Sequence, residues 1–210
     1  MPWYQLISLL AFLICVCILL FHLFRLYRLG LPIDFAPPAG NIKEATLYSF
    51  TGAMSPFKKE SAFLHLPTYT AGIIYHLGTF VSLFFFIFMY ADVVVPKTLA
   101  WGLTSFMIIS AGCGAAILIK RIVKQGLRDL SNPDDYISNV LVTGFQFMTA
   151  LVLLFPGVFA AAYFIMAALL LLYIPVGKLK HLLYFFSARL QLGLFFGRRG
   201  VWAPHQKQIP

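Results

Sequence analysis

Charged residues are scarce in this chain. Only 11% of the 210 residues are Asp, Glu, Lys or Arg, and just 7 of them are acidic. A soluble domain carries about 25% charged residues, whereas this chain is 60% hydrophobic and 17% aromatic. That balance excludes a soluble enzyme, a secreted disulfide scaffold and a disordered regulator. It indicates an integral membrane protein.

Cysteine is also scarce, and recognised catalytic or cofactor motifs are missing. Cys15, Cys17 and Cys113 lie in apolar stretches and form no C-x-x-C pair, so we interpret them as small packing residues. The sequence has no Rossmann glycine fingerprint and no phosphate loop. We therefore expect the chain to be non-catalytic alone, with any enzymatic activity belonging to a larger complex.

Five apolar stretches are long enough to cross about 30 Å of hydrocarbon as helices. They cover residues 3–24, 66–89, 99–119, 137–155 and 158–186. In lipid, such continuous runs must be helical to satisfy their backbone. The first stretch has no basic segment before it, which argues against a cleaved signal peptide. The sequence predicts an all-α bundle of five transmembrane helices forming a single membrane domain over residues 1–210.

The basic residues predict the orientation. With the N-terminus outside, the inner segments hold fifteen of the sixteen Lys and Arg residues, and the outer segments hold only Lys97. Cytoplasmic loops are enriched in Lys and Arg, so we expect the C-terminus inside, with a cytoplasmic loop at 31–62 and a cytoplasmic tail at 190–210. The loop is either a platform for a partner or a linker on the lipid headgroups. The net charge of +9 then requires no nucleic acid.

Two histidines fall within the predicted spans. Counted at 1.5 Å per residue, His76 lies about 15 Å from the start of the second helix, and His181 lies about 12 Å before Arg189 near the end of the fifth. Ionisable residues inside a span are costly and usually functional. Two imidazoles at matched depth suit the axial ligands of one b-type haem. Hydrogen-bonded packing residues and a proton relay are the alternatives.

The surroundings of these histidines fit a haem. Gly72 and Gly78 would leave room for the macrocycle, and the second nitrogen of the imidazole would bond a carbonyl one turn back or the Thr79 hydroxyl. Positive charges for the haem propionates would come from three inner residues, Arg121, Lys178 and Lys180.

These segments resemble a known family. The sequences IYHLG at 74–78 and PVGKLKH at 175–181 resemble the haem-ligand motifs of the respiratory nitrate reductase gamma family, which includes the cytochrome b subunits of membrane-bound heterodisulfide reductase. Lys120-Arg121 with LSNPDDYI at 130–137 resembles its third inner connection, and GRRG at 197–200 resembles tails of the heterodisulfide-type branch.

The resemblance implies a haem b subunit in a prokaryotic inner membrane. Such a subunit exchanges electrons between quinone (menaquinone included) and a cytoplasmic iron–sulfur or heterodisulfide-reductase-like partner. His76 and His181 match the axial ligands of the inner haem. The family's nitrate reductase subunits carry a second, outer haem, but Phe86 and Tyr163 stand at its ligand positions. We therefore expect one haem and lean toward inner-side quinone chemistry.

Other polar residues are weaker candidates. His22 and His65 lie near the predicted inner boundary of the membrane. Each is predicted to be a haem ligand, a quinone contact, a proton carrier or a solvated side chain. His205 is expected at the protein surface. The polar groups that could contact a quinone are His65, Tyr75, Asp92, Lys97 and Lys180.

The alternative functions are a membrane anchor without haem and a proton-relay or transport subunit. The proton-relay or transport function is supported only by a few Thr and Ser residues and Gln146 within the spans.

Overall fold

The computed structural model describes residues 1–30, 34–58, 60–91 and 95–202. It is 82% helical and has no strand within the described residues. The α-helices are α1 (Trp3–Arg28), α2 (Ile42–Phe50), α3 (Glu60–Phe63), α4 (Leu66–Phe88), α5 (Lys97–Val123), α6 (Gln125–Asp129), α7 (Pro133–Leu154), α8 (Pro156–Tyr173) and α9 (His181–Arg198). Short 3-10 turns occupy Gly52–Met54, Pro56–Lys58 and Lys178–Lys180.

Five of these helices, α1, α4, α5, α7 and α8, are long and apolar enough to cross a membrane. The predicted all-α fold with five transmembrane helices is confirmed. The first four spans begin and end within about four residues of the predicted bounds. The chain is therefore a multi-pass membrane protein.

The prediction of one continuous fifth helix over 158–186 is wrong. Helix α8 ends at Tyr173, and the Gly177 amide donates to the Tyr173 carbonyl at 2.8 Å in the turn that follows. Pro175 has no amide hydrogen to continue the helix and its ring crowds the preceding turn. A separate helix, α9, begins at His181 and continues to Arg198, well into the stretch predicted as a tail.

The described chain divides into two compact units. The first unit comprises Met1–Leu20 and Pro67–Lys180, and the second comprises Phe21–Leu66 and His181–Pro210, each within the described residues. Helix α1 contributes its first 18 residues to the first unit and its last eight to the second, since it spans Trp3–Arg28.

The first unit is built on close contacts of α5 and α7 with their neighbours. Gly78 of α4 lies against Ser110 of α5, and Gly114 of α5 lies against Tyr75 and Thr143, so closely that a Cβ at either glycine would overlap these atoms. Small residues let membrane helices approach because the lipid supplies no hydrophobic drive between them. These two glycines therefore set the spacing of α4, α5 and α7.

The second unit is held by α2 packed on α9. A Cβ at Gly193 would lie 2.6 Å from the Thr46 Cα, and one at Gly197 would lie 2.7 Å from the Ala45 Cβ. Ala45 is fully buried, and the Ser49 hydroxyl donates to the Arg189 carbonyl at 2.6 Å. The predicted loop 31–62 thus contains a helix with its own partner, which the sequence did not indicate.

Within the second unit, Asp34 forms an ion pair with Arg199, the residue that follows α9. Its carboxylate accepts two bonds from Arg199, at 3.1 and 3.2 Å. This bidentate pairing, assisted by the Ala36 amide, lowers the pKa of Asp34. The Ala39 amide donates to the Arg198 carbonyl at 2.7 Å, so the segment before α2 is bonded directly to the end of α9.

Candidate functional site

His76 is the eleventh residue of the 23-residue helix α4 and lies near its middle. Its Nδ1 lies 2.7 Å from the carbonyl oxygen of Gly72. A carbonyl only accepts, so the proton of the neutral imidazole is on Nδ1 and the lone pair is on Nε2. Of the two partners expected from the sequence, the carbonyl one turn back is the one found. This arrangement orients the ring as a metal-ligating histidine is oriented.

The helix surface near His76 is open at Gly72 and tightly packed at Gly78. The ring lies on the exposed face of α4, and a Cβ at Gly72, four residues earlier, would meet nothing within 4 Å. Residues four apart lie on one face of a helix, so this open surface adjoins the imidazole. Gly78 differs from the expectation: it packs against Ser110 of α5, and its missing side chain serves helix packing.

A buried polar network lies behind His76. Gln146 of α7 is fully buried and donates to the Tyr75 carbonyl at 2.9 Å and to the Thr79 hydroxyl at 2.8 Å. Its side-chain oxygen accepts from Ser110 at 2.8 Å. Such a network fixes α4 against α5 and α7, because an unmet amide in lipid is costly. The backbone that carries His76 is therefore held rigidly.

The Tyr75 hydroxyl belongs to the same network. It lies 3.0 Å from the Thr143 hydroxyl and donates to the Asn139 carbonyl at 3.1 Å. The Asn139 amide in turn donates to the Gly114 carbonyl at 3.2 Å. These contacts disfavour Tyr75 as a quinone contact, because its hydroxyl points into the α5–α7 interface.

His181 lies at a different kind of place from the one predicted. It is the first residue of α9, directly after the 3-10 turn Lys178–Lys180, and its side chain is exposed. The depth expected for it in a fifth transmembrane helix does not apply, because α8 ends eight residues earlier, at Tyr173. Its role as a ligand now depends on the motif rather than on depth.

A charged cluster surrounds Asp135, which sequence reasoning missed. The side chain of Asp135 is only 6% exposed; it pairs with Lys178, and its carboxylate lies 3.6 Å from the Arg121 guanidinium. Asn132 and Asp135 also form a capping box at the start of α7, which the segment SNPDD could have signalled. Two of the three basic residues expected near haem propionates therefore share one carboxylate, and Lys180 is exposed.

Phe86 and Tyr163 stand where the resemblance places outer haem ligands. Phe86 is 2% exposed and Tyr163 is fully buried. Tyr163 stacks on Phe145 with ring centroids 5.5 Å apart and meets Phe164 edge-on at 5.3 Å. Phe86 meets Phe164 at 6.2 Å. Aromatic side chains fill this level of the first unit, and a macrocycle here would have to displace them.

The two weaker histidine candidates differ from each other. His22 of α1 is half-buried, and its Nδ1 lies 3.3 Å from the Tyr184 hydroxyl of α9. His65 is exposed in the turn between α3 and α4. Tyr184 is a contact that the sequence did not suggest, because α9 was not predicted as a separate helix. His205 and Asp92 lie outside the described residues, and Lys97 is exposed at the start of α5.

Within the described residues, no three His, Cys, Asp or Glu side chains come together as a bare metal ion would need. A haem iron needs only two protein ligands, so this observation concerns other metal sites. Comparison with protein-family models, with curated proteins and with solved structures finds no match to this chain. The resemblance of the histidine motifs therefore stays an expectation, and the functional argument depends on the residues themselves.

Proposed function

We propose that this chain is the haem b membrane subunit of a respiratory redox complex. It transfers electrons between the quinone pool and a cytoplasmic iron–sulfur or heterodisulfide-reductase-like partner. In this proposal His76 and His181 are the axial ligands, the N-terminus is outside, the C-terminus is inside, and the membrane is the inner membrane of a prokaryotic cell.

The geometry of His76 carries the proposal. An ionisable side chain in the middle of an apolar span is costly and therefore marks a candidate functional residue. The 2.7 Å bond to the Gly72 carbonyl assigns the lone pair to Nε2, the nitrogen that would ligate iron. The open surface at Gly72 adjoins it. The donor chemistry and the space around this residue fit a haem.

His181 and its neighbours supply the second part of the proposal. The donor set of two imidazoles is the one a low-spin b-type haem takes. Lys180, exposed directly before His181, would provide a positive charge for a propionate. When bound, the haem would carry one electron at a time. The chain would hold it, orient it and keep water from it.

The proposal includes one haem rather than two. The single haem is supported by Phe86 and Tyr163, which stand at the positions of the outer haem ligands and lie in a buried aromatic cluster. Neither side chain has an imidazole to ligate iron. The polar network around Gln146 does not favour the proton-relay alternative. Its central group is an amide with its hydrogens committed to Tyr75 and Thr79, which holds helices together without passing a proton.

The test is the dithionite-reduced minus oxidised visible spectrum of the detergent-purified protein, with haem quantified per chain. We expect a sharp low-spin b-type spectrum at about one haem per chain. The variants His76→Ala and His181→Ala should each lose it, since each removes one of two axial ligands. His65→Ala is the matched control: it removes an exposed imidazole in a turn and should leave the spectrum unchanged.

A folded but colourless protein, purified from cells with adequate haem supply, would overturn the proposal and favour the anchor or the proton-relay subunit. Two haems per chain would contradict the single site and point to His22 or His65 as a further ligand. Loss of haem in His65→Ala with retention in His181→Ala would reassign the second ligand.

A further inference from the structure

The second unit contains an open pocket of about 230 Å³ at the C-terminal end of α1. Five residues line it: His22, Arg25, Leu26, Leu29 and Tyr184. The first three belong to α1, Leu29 follows it directly, and Tyr184 belongs to α9. The pocket combines two apolar side chains with three groups that can form hydrogen bonds.

The polar part of this pocket is a pair of proton-exchanging side chains. The His22 Nδ1 and the Tyr184 hydroxyl lie 3.3 Å apart, with the rings 6.2 Å between centroids and inclined at 65°. The separation is longer than a strong hydrogen bond, so a ligand oxygen can compete for both groups. A neutral imidazole has one donor and one acceptor nitrogen, and a phenol both donates and accepts.

Tyr184 lies close to a proposed iron ligand on its own helix. His181 and Tyr184 are three residues apart on α9, and side chains at that spacing are neighbours on a helix surface, with Cβ atoms about 5–6 Å apart. The pocket therefore adjoins the residue proposed to carry the haem. An electron donor or acceptor must lie close to a redox centre to exchange electrons with it, whereas a phospholipid headgroup has no such requirement.

We propose that this pocket binds the headgroup of a quinone, an assignment that rests on the proposed function and names the place of its substrate. Drug-sized ligands fill about 300–1,000 Å³, so this smaller volume suits a headgroup whose isoprenoid tail stays outside. The pocket lies at the end of a helix long and apolar enough to span a membrane, a place that an apolar ligand can reach from the lipid. Leu26 and Leu29 contact the ring, while His22 and Tyr184 hold one carbonyl oxygen.

The chemistry balances in either direction. A quinol that is oxidised here gives up two electrons; the haem that His181 would help to hold would supply the one-electron acceptor, and the iron–sulfur partner would be the final acceptor. It also loses two protons, one from each ring oxygen: the proton on the oxygen held by His22 passes to the imidazole and then to water, and the other passes directly to water at the open side of the pocket, before the quinone leaves. Arg25, which also lines the pocket, carries a positive charge. Reduction of a quinone takes up two electrons and two protons by the same route.

The first test does not require haem. A photoreactive azidoquinone with a decyl tail is irradiated with the purified chain, and the labelled peptides are found by mass spectrometry. We expect the label on residues 22–29 and on Tyr184, removed by excess unlabelled decylquinone. His22→Leu and Tyr184→Phe should reduce it at least about fivefold. Tyr27→Phe, a matched hydroxyl deletion at an 84% exposed position on α1, should not change it.

The second test measures the rate at which decylquinol reduces the haem. Tyr184→Phe should slow it about tenfold or more, the effect of losing one good hydrogen bond at about 1.4 kcal/mol, with the same haem content. Label confined to other segments, or label displaced by anionic phosphatidylglycerol but not by decylquinone, would overturn the pocket assignment. Haem-free protein that still labels at His22 and Tyr184 would overturn only the proposed function.

Discussion

At the scale of single residues, Asp135 is the most extensively paired carboxylate among the described residues. It closes the capping box of α7 through the Asn132 amide at 3.1 Å and pairs with Lys178 and Arg121. These contacts join the start of α7, the end of α5 and the turn that follows α8. A carboxylate that is 6% exposed and has two cationic partners is costly to neutralise, since each partner loses its countercharge.

Asp135→Asn tests this role. The substitution keeps the shape of the side chain but removes its negative charge. We expect it to lower the free energy of unfolding by roughly 2 kcal/mol, a value within the range for hydrogen bonds to charged groups. Detergent-to-SDS titration followed by helical circular dichroism measures it. Asp134→Asn is the control, because that neighbour uses its backbone carbonyl to accept from Tyr173. Equal effects of the two substitutions would show that the buried ion pairs contribute nothing.

At the scale of elements, glycine positions decide which helices pair. Gly193 and Gly197 are four residues apart on α9 and face α2, a spacing that brings helix backbones close. The same principle acts at Gly78 and Gly114 in the first unit. Gly112 of α5 contrasts with these four, since a Cβ there would meet nothing within 4 Å.

Gly193→Ala should loosen the α2–α9 pair. The added Cβ would lie 2.6 Å from backbone of Thr46, so α2 must move, at a cost of about 1–3 kcal/mol for overpacking. Hydrogen–deuterium exchange should become faster in amides 42–50. Gly112→Ala provides the comparison and should leave exchange in α2 unchanged, with a small gain in helix propensity. Unaltered exchange in Gly193→Ala would refute close packing at this position.

At the scale of the whole molecule, the distribution of basic residues predicts the topology. Fifteen of sixteen Lys and Arg residues fall on the side that holds the C-terminus if the five spans alternate. This argument predicts the cytoplasmic side for the proposed partner and for the proposed quinone pocket. The topology is therefore the prediction on which the cellular role depends most.

Reporter fusions in bacterial cells test the topology. A green fluorescent protein joined after Pro210, or after Lys124, should fluoresce, because both sites are expected in the cytoplasm. Alkaline phosphatase joined after Phe155, between α7 and α8, should be active, because it folds only outside. The reverse pattern at all three sites would invert the molecule and move the proposed partner to the other face.

The part of the fold that the sequence predicted is the part that lipid dictates. Long uncharged runs must be helical, so the five spans followed from the apolar runs alone. The carbonyl that His76 bonds one turn back was one of two partners expected from the sequence, the other being the Thr79 hydroxyl. The end of α8 could not be found by counting apolar residues, because 174–186 stays largely apolar. Pro175 and Gly177 are the local signals of the break, and a proline inside an apolar run ends or kinks a helix according to its tertiary surroundings.

The sequence by itself determined the all-α membrane fold and the position of His76 in the middle of a span, because bilayer thickness and backbone hydrogen bonding admit few solutions. The tertiary structure decided which polar groups meet: Gln146 with Thr79, Asp135 with Lys178, and His22 with Tyr184. The partners in these pairs lie between 43 and 162 residues apart in the chain. No local pattern encodes such pairs, because they depend on how the helices pack.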